Sequence, residues 1–244
     1  MSSGYRDWIL GSSTEGRELR VRAFAPQGRA AEILHVPGPA SWPWLLFLGG
    51  VHGDELEGVW LMEEIEHAWS KSYLAAGLGA LVWSSVNPDG ISRPQRANAR
   101  GIDLNRNLPT RDWTAEVKNP RYFPGTQAGS EPENQALTRI IDVCKPMAIL
   151  SAHSFSKVQV NINGPSREWG ERLSALCGYP VTEDIGYPTP GCLGTYAGAE
   201  RGIPTITLEI ERGLPKERVL EMHLPLIQAS LDYWRLLEKR NLRL

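Results

Sequence analysis

The sequence predicts an α/β fold in which a mixed, mostly parallel sheet is covered by helices on both faces. Three observations predict it: four short apolar runs of strand character, helical stripes between them, and turn-forming or polar residues directly after each run. From Arg17 to Phe24, Leu19, Val21 and Ala23 alternate with polar residues, the period-2 pattern of a half-exposed strand near a sheet edge. Leu45 to Leu48 is a buried strand ended by Gly49-Gly50, and it feeds a helix that carries Leu56, Val59, Met62, Ile65 and Trp69 on one face. A second run, Ala80 to Val86, stops at Asn87-Pro88-Asp89-Gly90, a turn signature, so this strand should end in a loop.

The spacing Ser130-Glu131-Pro132-Glu133 predicts a capping box with proline in the first turn. Leu137, Ile140, Ile141 and Cys144 then form the buried stripe, and Lys145-Pro146 ends the helix. Met147 to Leu150 reads as a third core strand and Pro204 to Ile210, rich in β-branched residues, as a fourth. Helical spacing recurs at Trp169, Leu173 and Leu176, and again at Leu220, Leu224, Ile227, Leu231 and Trp234. Pro225 should kink or restart that last helix.

No repeat, low-complexity tract or flexible linker divides the 244 residues, so residues 1–244 are expected to form a single domain. Hydrophobic residues at 41% and charged residues at 22% exclude a disordered or fibrous chain. The 26 basic side chains nearly balance 28 acidic ones, which argues against nucleic acid or an anionic membrane as a partner. Met1 to Gly11 has no signal-peptide core, and no run approaches the ~20 apolar residues of a membrane span, so a cytoplasmic location is expected. Cys144, Cys177 and Cys192 are widely spaced and read as reduced thiols.

Ligands of such folds collect at the carboxyl ends of strands. The polar residues there are His52 and Glu55, Asn87 and Asp89, His153, and Glu209 within the last run, and they should converge. His52 and Glu55 are three positions apart, where both can reach one ion. A catalytic zinc takes three protein ligands, typically two histidines and a carboxylate, and His153 would complete the set. Spacing alone leaves Asp54 open as the carboxylate. The apolar neighbours Ile206, Leu208 and Ile210 suit Glu209 as a partly buried carboxylate with a raised pKa, although Glu211 would share its face of the strand.

His52-Gly53-Asp54-Glu55, Asn87-Pro88-Asp89-Gly90, Arg96-Ala97-Asn98, Gly101 to Asn107, His153-Ser154 and Thr207-Leu208-Glu209 follow one another in the order of the zinc carboxypeptidase signature, across residues 45–210. The chain therefore resembles that family. Within it, the compact length, the segment Gly129 to Glu133 and the Gly-Tyr-x-Thr-Pro-Gly stretch from Gly186 to Gly191 are most similar to the small bacterial murein peptide amidases.

The resemblance implies one zinc ion per chain held by His52, Glu55 and His153, with Asp103 accepting a hydrogen bond from the first histidine. It favours Glu209 over Glu211 as the carboxylate that moves the proton from water to the leaving nitrogen. It points Arg96 at the scissile carbonyl, with Arg93 and Arg100 close enough to be confused with it. Asn105 and Arg106 match the pair that grips the substrate's terminal carboxylate. Tyr187, 22 positions before Glu209, matches a tyrosine that closes over substrate, though Pro188 and Pro190 stiffen its surroundings. Gly191, Gly194 and Thr195 are small and uncharged, leaving room for a long polar side chain such as that of diaminopimelate.

The activity implied is hydrolysis of the γ-D-glutamyl–meso-diaminopimelate amide in a small peptide, the murein tripeptide, during cell-wall recycling, by a monomer or homodimer. The alternatives are another hydrolase of the superfamily, namely a metallocarboxypeptidase, a deglutamylase or an aspartoacylase-like deacylase, and more remotely a non-catalytic zinc-binding module. Three expectations remain. His35, His67 and His223 are ordinary histidines; Trp42, Trp44 and Trp113 either line the approach or, as is more usual for tryptophan, pack in the core; and Pro109 to Gly129 forms a long loop over the site.

Overall fold

A computed structural model describes residues 4–33, 37, 38, 40, 42–70 and 77–241. Its eight strands, in chain order, are β1 (Tyr5–Ser12), β2 (Glu18–Phe24), β3 (Trp44–Leu48), β4 (Gly79–Trp83), β5 (Ala148–Phe155), β6 (Gln159–Asn163), β7 (Val181–Thr182) and β8 (Thr205–Glu211). They form one sheet in the order β1-β2-β4-β3-β5-β8-β6-β7. The centre, β4-β3-β5-β8, is parallel, whereas β2 joins β4 and β6 joins β8 in antiparallel fashion. The mixed sheet is thus parallel where ligands are expected to gather.

The helices are α1 (Leu56–Ser70), α2 (Pro88–Ser92), α3 (Pro132–Cys144), α4 (Arg167–Cys177) and α5 (Lys216–Asn241). Alternation along β3 shows why both sheet faces need cover. Trp44, Leu46 and Leu48 enter one core with Trp8, Trp83 and the stripe Leu137, Ile140 and Ile141 of α3. Leu45 and Phe47 enter the other with Leu61, Met62 and Ile65 of α1, Trp169 and Leu173 of α4, and Ile227 and Trp234 of α5. All five β3 residues are therefore buried, as expected of a strand sandwiched between helical layers. Among the described residues, no helix is long and apolar enough to cross a membrane.

Several local expectations are corrected. β1 was not anticipated, because Trp8 is its only buried residue and the strand carries no clear period. Asn87-Pro88-Asp89-Gly90 starts α2 instead of a bare turn: Asn87 Oδ1 accepts from the Gly90 N–H at 2.8 Å, and proline occupies the first turn, where a missing N–H is tolerated. The capping box at Ser130 does not form. The Ser130 hydroxyl donates to Glu131 Oε1 (2.6 Å), and Glu131 and Glu133 turn inward to the amide of buried Asn98. Helix α5 runs through Pro225 without restarting, since packing of its apolar face outweighs the lost hydrogen bond.

Trp42 and Trp44 lie in the core, away from any approach, and Trp113 packs behind Gly191. His223 is buried in α5, donating through Nδ1 to the Val219 carbonyl (2.8 Å) and accepting from the Tyr179 hydroxyl (3.1 Å). His67 sits in the last turn of α1, and His35 lies outside the described residues. All three cysteines are free thiols.

Candidate metal and catalytic site

His52 and Glu55 occupy the short loop between β3 and α1. Gly53 lets that loop press against α2, since a Cβ at this position would lie 2.0 Å from the Gly90 carbonyl carbon. His153 enters from the adjacent strand; it lies inside β5, which extends five residues beyond the predicted end at Leu150. The three side chains are buried, with one ligand atom from each within 4.8 Å of the others. His52 Nδ1 is 3.0 Å from Glu55 Oε1 and 3.1 Å from His153 Nδ1, and His153 Nδ1 is 3.0 Å from Glu55 Oε2.

The outer ring nitrogens have partners of their own. His52 Nε2–H donates to Asp103 Oδ1 and His153 Nε2–H to Ser151 Oγ, both at 3.1 Å. With the protons held outside, the inner nitrogens and the Glu55 carboxylate aim lone pairs at one point. That arrangement is repulsive without a cation and fits a divalent metal with nitrogen and oxygen donors. Asp54, the alternative carboxylate, is turned outward to Arg121 and Arg212.

Arg96 borders this group. Its Nε donates to Asp103 Oδ2 (2.9 Å) and its Nη1 to Glu55 Oε1 (3.3 Å). Of the neighbouring arginines, Arg93 is paired with Glu15 and Arg100 with Glu131, so only Arg96 of the three lines the cavity. Burial alone would raise the Asp103 carboxyl, but His52 and Arg96 outweigh it and hold the group ionised far below the usual carboxylate range. The structure behind Asp103 explains its placement: Asn107 and Asn134 tie the Leu104 to Asn107 turn onto α3, with Asn134 Nδ2 donating to the Leu104 carbonyl (2.9 Å) and to Asn107 Oδ1 (3.1 Å).

Glu209 lies in β8 directly opposite His153 of β5 in the parallel register. Its side chain is buried, and burial pushes the carboxyl up to about 7, aided by Glu55 and opposed by His153, Arg96 and Arg106. Glu211, on the same strand face, is exposed and does not line the cavity.

These residues line a cavity of about 560 Å³. On its wall Asn105 Oδ1 accepts from the Leu193 N–H (2.9 Å), and Arg106 Nη1 donates to the Asn105 carbonyl (2.6 Å). The Arg106 guanidinium lies 5.4 Å from the Tyr122 ring centre and 5.8 Å from that of Tyr187, and the two tyrosines stack at 5.9 Å. Gly191 backs this wall: a Cβ there would lie 2.2 Å from the Arg106 carbonyl oxygen, and its φ is +73°. Gly194 and Thr195 reach the cavity; Gly191 itself does not.

Not all expected residues converge. Asp89 is a buried residue of α2 turned to the β1–β2 hairpin, accepting from Ser13 Oγ (2.7 Å), the Glu15 N–H (3.1 Å) and Arg17 (2.6 Å), and Asn87 supports the His52 loop through the Val51 carbonyl. Conversely, Arg121, Tyr122, Asn161, Asn163 and Arg212 line the cavity without having been anticipated. Asn161 and Asn163 were findable: Gln159, Asn161 and Asn163 alternate with Val160 and Ile162, the period-2 signal of β6. Arg121 and Tyr122 belong to the loop expected over the site, but nothing in their spacing singles them out.

Chemically, a buried carboxylate of raised pKa beside a group that could hold a metal, an arginine, and a second arginine next to Asn105 suits hydrolysis of an amide next to a terminal carboxylate. Comparison with known proteins gives the same picture. The chain is 33% identical over 192 residues to murein peptide amidase A of Escherichia coli K12, covering 73% of this chain and 76% of that protein. It superimposes on the crystal structure of a murein-tripeptide amidase from Escherichia coli O157 with a TM-score of 0.69 at 26% identity, over 92% of this chain and 90% of that one. The carboxypeptidase A structure from Helicoverpa armigera shares the fold, with a TM-score of 0.78 at 17% identity over 96% of this chain and 68% of its own. The family profile described as zinc carboxypeptidase matches residues 6–175, the stretch that carries His52, Glu55 and His153, and by that match this metallohydrolase belongs to the zinc carboxypeptidase family.

Proposed function

We propose that the chain hydrolyses the γ-D-glutamyl–meso-diaminopimelate amide of a murein tripeptide, as a cytoplasmic step of cell-wall recycling, with residues 1–244 acting as one catalytic domain. The observation that carries the reading is the meeting in one cavity of the His52–Glu55–His153 group, Glu209, Arg96 and the Asn105–Arg106 pair, in a chain one-third identical to a murein peptide amidase. The polar but uncharged side chains Asn161, Asn163, Thr195 and Thr207 on the cavity lining suit a leaving residue whose side chain carries both an ammonium and a carboxylate.

His52, Glu55 and His153 would hold zinc, which supplies Lewis acidity for amide hydrolysis at neutral pH. Asp103 keeps the His52 proton on the outer nitrogen, and the Ser151 hydroxyl can accept the corresponding proton of His153. Glu209 takes a proton from the attacking water at a carboxylate oxygen and returns it to the departing amine nitrogen, a transfer suited to a carboxyl poised at about 7. Arg96, fixed by Asp103, opposes negative charge growing on the carbonyl oxygen. Asn105 and Arg106 grip the leaving residue's carboxylate, and Tyr187, stacked on Tyr122, covers it.

Mass spectrometry of L-alanyl-γ-D-glutamyl-meso-diaminopimelate incubated with the zinc-loaded protein tests the reading. Release of free diaminopimelate is expected from wild type and not from Glu209→Gln. Absence of release by a protein with one zinc per chain would move the substrate to ordinary C-terminal peptides, polyglutamate tails or N-acyl amino acids.

A further inference from the structure

The cavity carries a second pair of cations that the steps above leave unused. Arg121, in the loop over the site, and Arg212, just past the end of β8, both line it. Both converge on Asp54, the residue before Glu55. Arg121 Nη2 donates to Asp54 Oδ2 at 3.1 Å, and Arg212 Nη2 forms an ion pair with the same oxygen and donates to the Asp54 carbonyl, each at 2.7 Å. Two guanidiniums thus share one carboxylate, leaving about one positive charge uncompensated within the cluster. Neither makes another hydrogen bond or ion pair among the described residues, so their remaining N–H groups are available. Both side chains are partly exposed, at 46% and 36%, whereas Asp54 is 18% exposed.

Position in the chain ties this pair to one side of the reacting bond. The leaving residue's carboxylate is assigned to Asn105 and Arg106, and the scissile carbonyl to the metal group and Arg96. What remains for this pair is the acyl side of the substrate: Asp54 directly precedes Glu55, Arg212 lies three residues past Glu209, and both arginines line the same cavity as the metal group. In a γ-glutamyl amide the scissile carbon is the side-chain carbonyl, and the free α-carboxylate sits four bonds away, about 5 Å in extended form. An α-linked peptide has a backbone amide instead of that anion.

We propose that Arg121 and Arg212, held by Asp54, bind the free α-carboxylate of a γ-linked acidic residue on the acyl side of the scissile amide and thereby select γ-glutamyl substrates. The inference rests on the amidase reading above. Asp54 acts here as a positioning residue, keeping both forks turned toward one spot and limiting their charge.

The test compares L-alanyl-γ-D-glutamyl-meso-diaminopimelate with the same peptide carrying an α-carboxamide on the D-glutamyl residue, a change of charge at nearly constant shape. Wild type is expected to favour the acid by roughly tenfold or more in kcat/KM, chiefly through KM, because charge-assisted pairs are stronger than neutral ones. The preference should shrink as ionic strength rises. In Arg121→Gln/Arg212→Gln the acid-to-amide ratio should fall to within about threefold of one, a change that loss of a purely structural clasp would not produce. A wild-type ratio near one at every salt concentration overturns the inference while leaving the amidase reading intact. So does an unchanged ratio in a double variant with wild-type melting temperature. Cleavage of neither peptide by the zinc-loaded wild type overturns both together. The wild-type comparison needs no variant, so it decides the question even if the double variant fails to fold.

Discussion

His153 and Glu209 are partners across the parallel pairing of β5 and β8, so one strand register sets an imidazole of the candidate metal group beside a buried carboxylate of raised pKa. A side chain placed by a central sheet strand is more precisely held than one on a loop. If Glu209 shuttles the proton, Glu209→Gln keeps size and hydrogen-bonding capacity and loses only basicity. The variant is expected to retain one zinc per chain while kcat falls by about 10²–10⁴-fold. Metal analysis and single-turnover assays on the same preparation check it, and near-wild-type turnover would remove Glu209 from the role.

Asp103 touches both halves of the site, since one oxygen receives His52 Nε2–H and the other receives Arg96 Nε–H. Asp103→Asn takes away the charge that favours the ligating tautomer of His52. Zinc affinity should fall by roughly 10–100-fold, as measured by chelator competition. Arg96 would also lose a buried ionic partner, so the variant should melt below wild type even at saturating zinc. Unaltered affinity would mean that Ser151 and Glu55 suffice to orient the histidines.

Arg96 and Arg106 both line the cavity, Arg106 buried and Arg96 slightly exposed, and their surroundings differ. Arg96 is fixed beside the metal group by Asp103, whereas Arg106 lies over the Tyr122 and Tyr187 rings next to Asn105. Arg106→Ala should raise KM by about tenfold or more with a smaller loss in kcat. Arg96→Ala should lower kcat by about 10²-fold or more. Steady-state kinetics on the tripeptide separates the two; equal effects on both parameters in both variants would undo the division.

The sequence made the centre of this fold legible and its margins much less so. Leu45 to Leu48 is a continuous apolar run because both its faces are covered, and Pro204 to Ile210 stands out by its β-branched residues and the apolar Ile206, Leu208 and Ile210. β1 and β7 are edge strands; neither needs an apolar period, and neither was read. The members of the His52–Glu55–His153 group could be picked out because their motif spacing is local, within one loop or at one strand. Arg121 and Arg212 were not visible because loop and strand end bring them together with Asp54 only through the tertiary fold, as Tyr122 meets Arg106 and Tyr187. Asp89 misled for the same reason: its position after a strand promised the cavity, but α2 turns it toward the β1–β2 hairpin.

Glu133 offers a prediction about stability that is independent of the active site. Its side chain is fully buried at the start of α3 beside Glu131, one carboxylate oxygen has no hydrogen-bond partner, and the Asn98 amide reaches the other only at 3.5 Å. Burial pushes its carboxyl up to about 7, the neighbouring Glu131 and Asp89 charges adding to the effect. The folded chain therefore keeps a proton on Glu133 between about pH 4.5 and 7 that the unfolded chain has lost. Stability from this group is fully present below the unfolded value and declines as pH rises through 7, by an amount on the order of 3 kcal/mol. Glu133→Gln mimics the protonated form and cannot ionise, so urea unfolding with saturating zinc at pH 5, 6, 7 and 8 should show the variant gaining on wild type as pH increases. The difference should be small at pH 5 and reach about 1–3 kcal/mol at pH 8. A constant difference across that range would mean that Glu133 is already ionised in the folded protein, stabilised by Asn98 and its own helix N-terminus more strongly than burial opposes it.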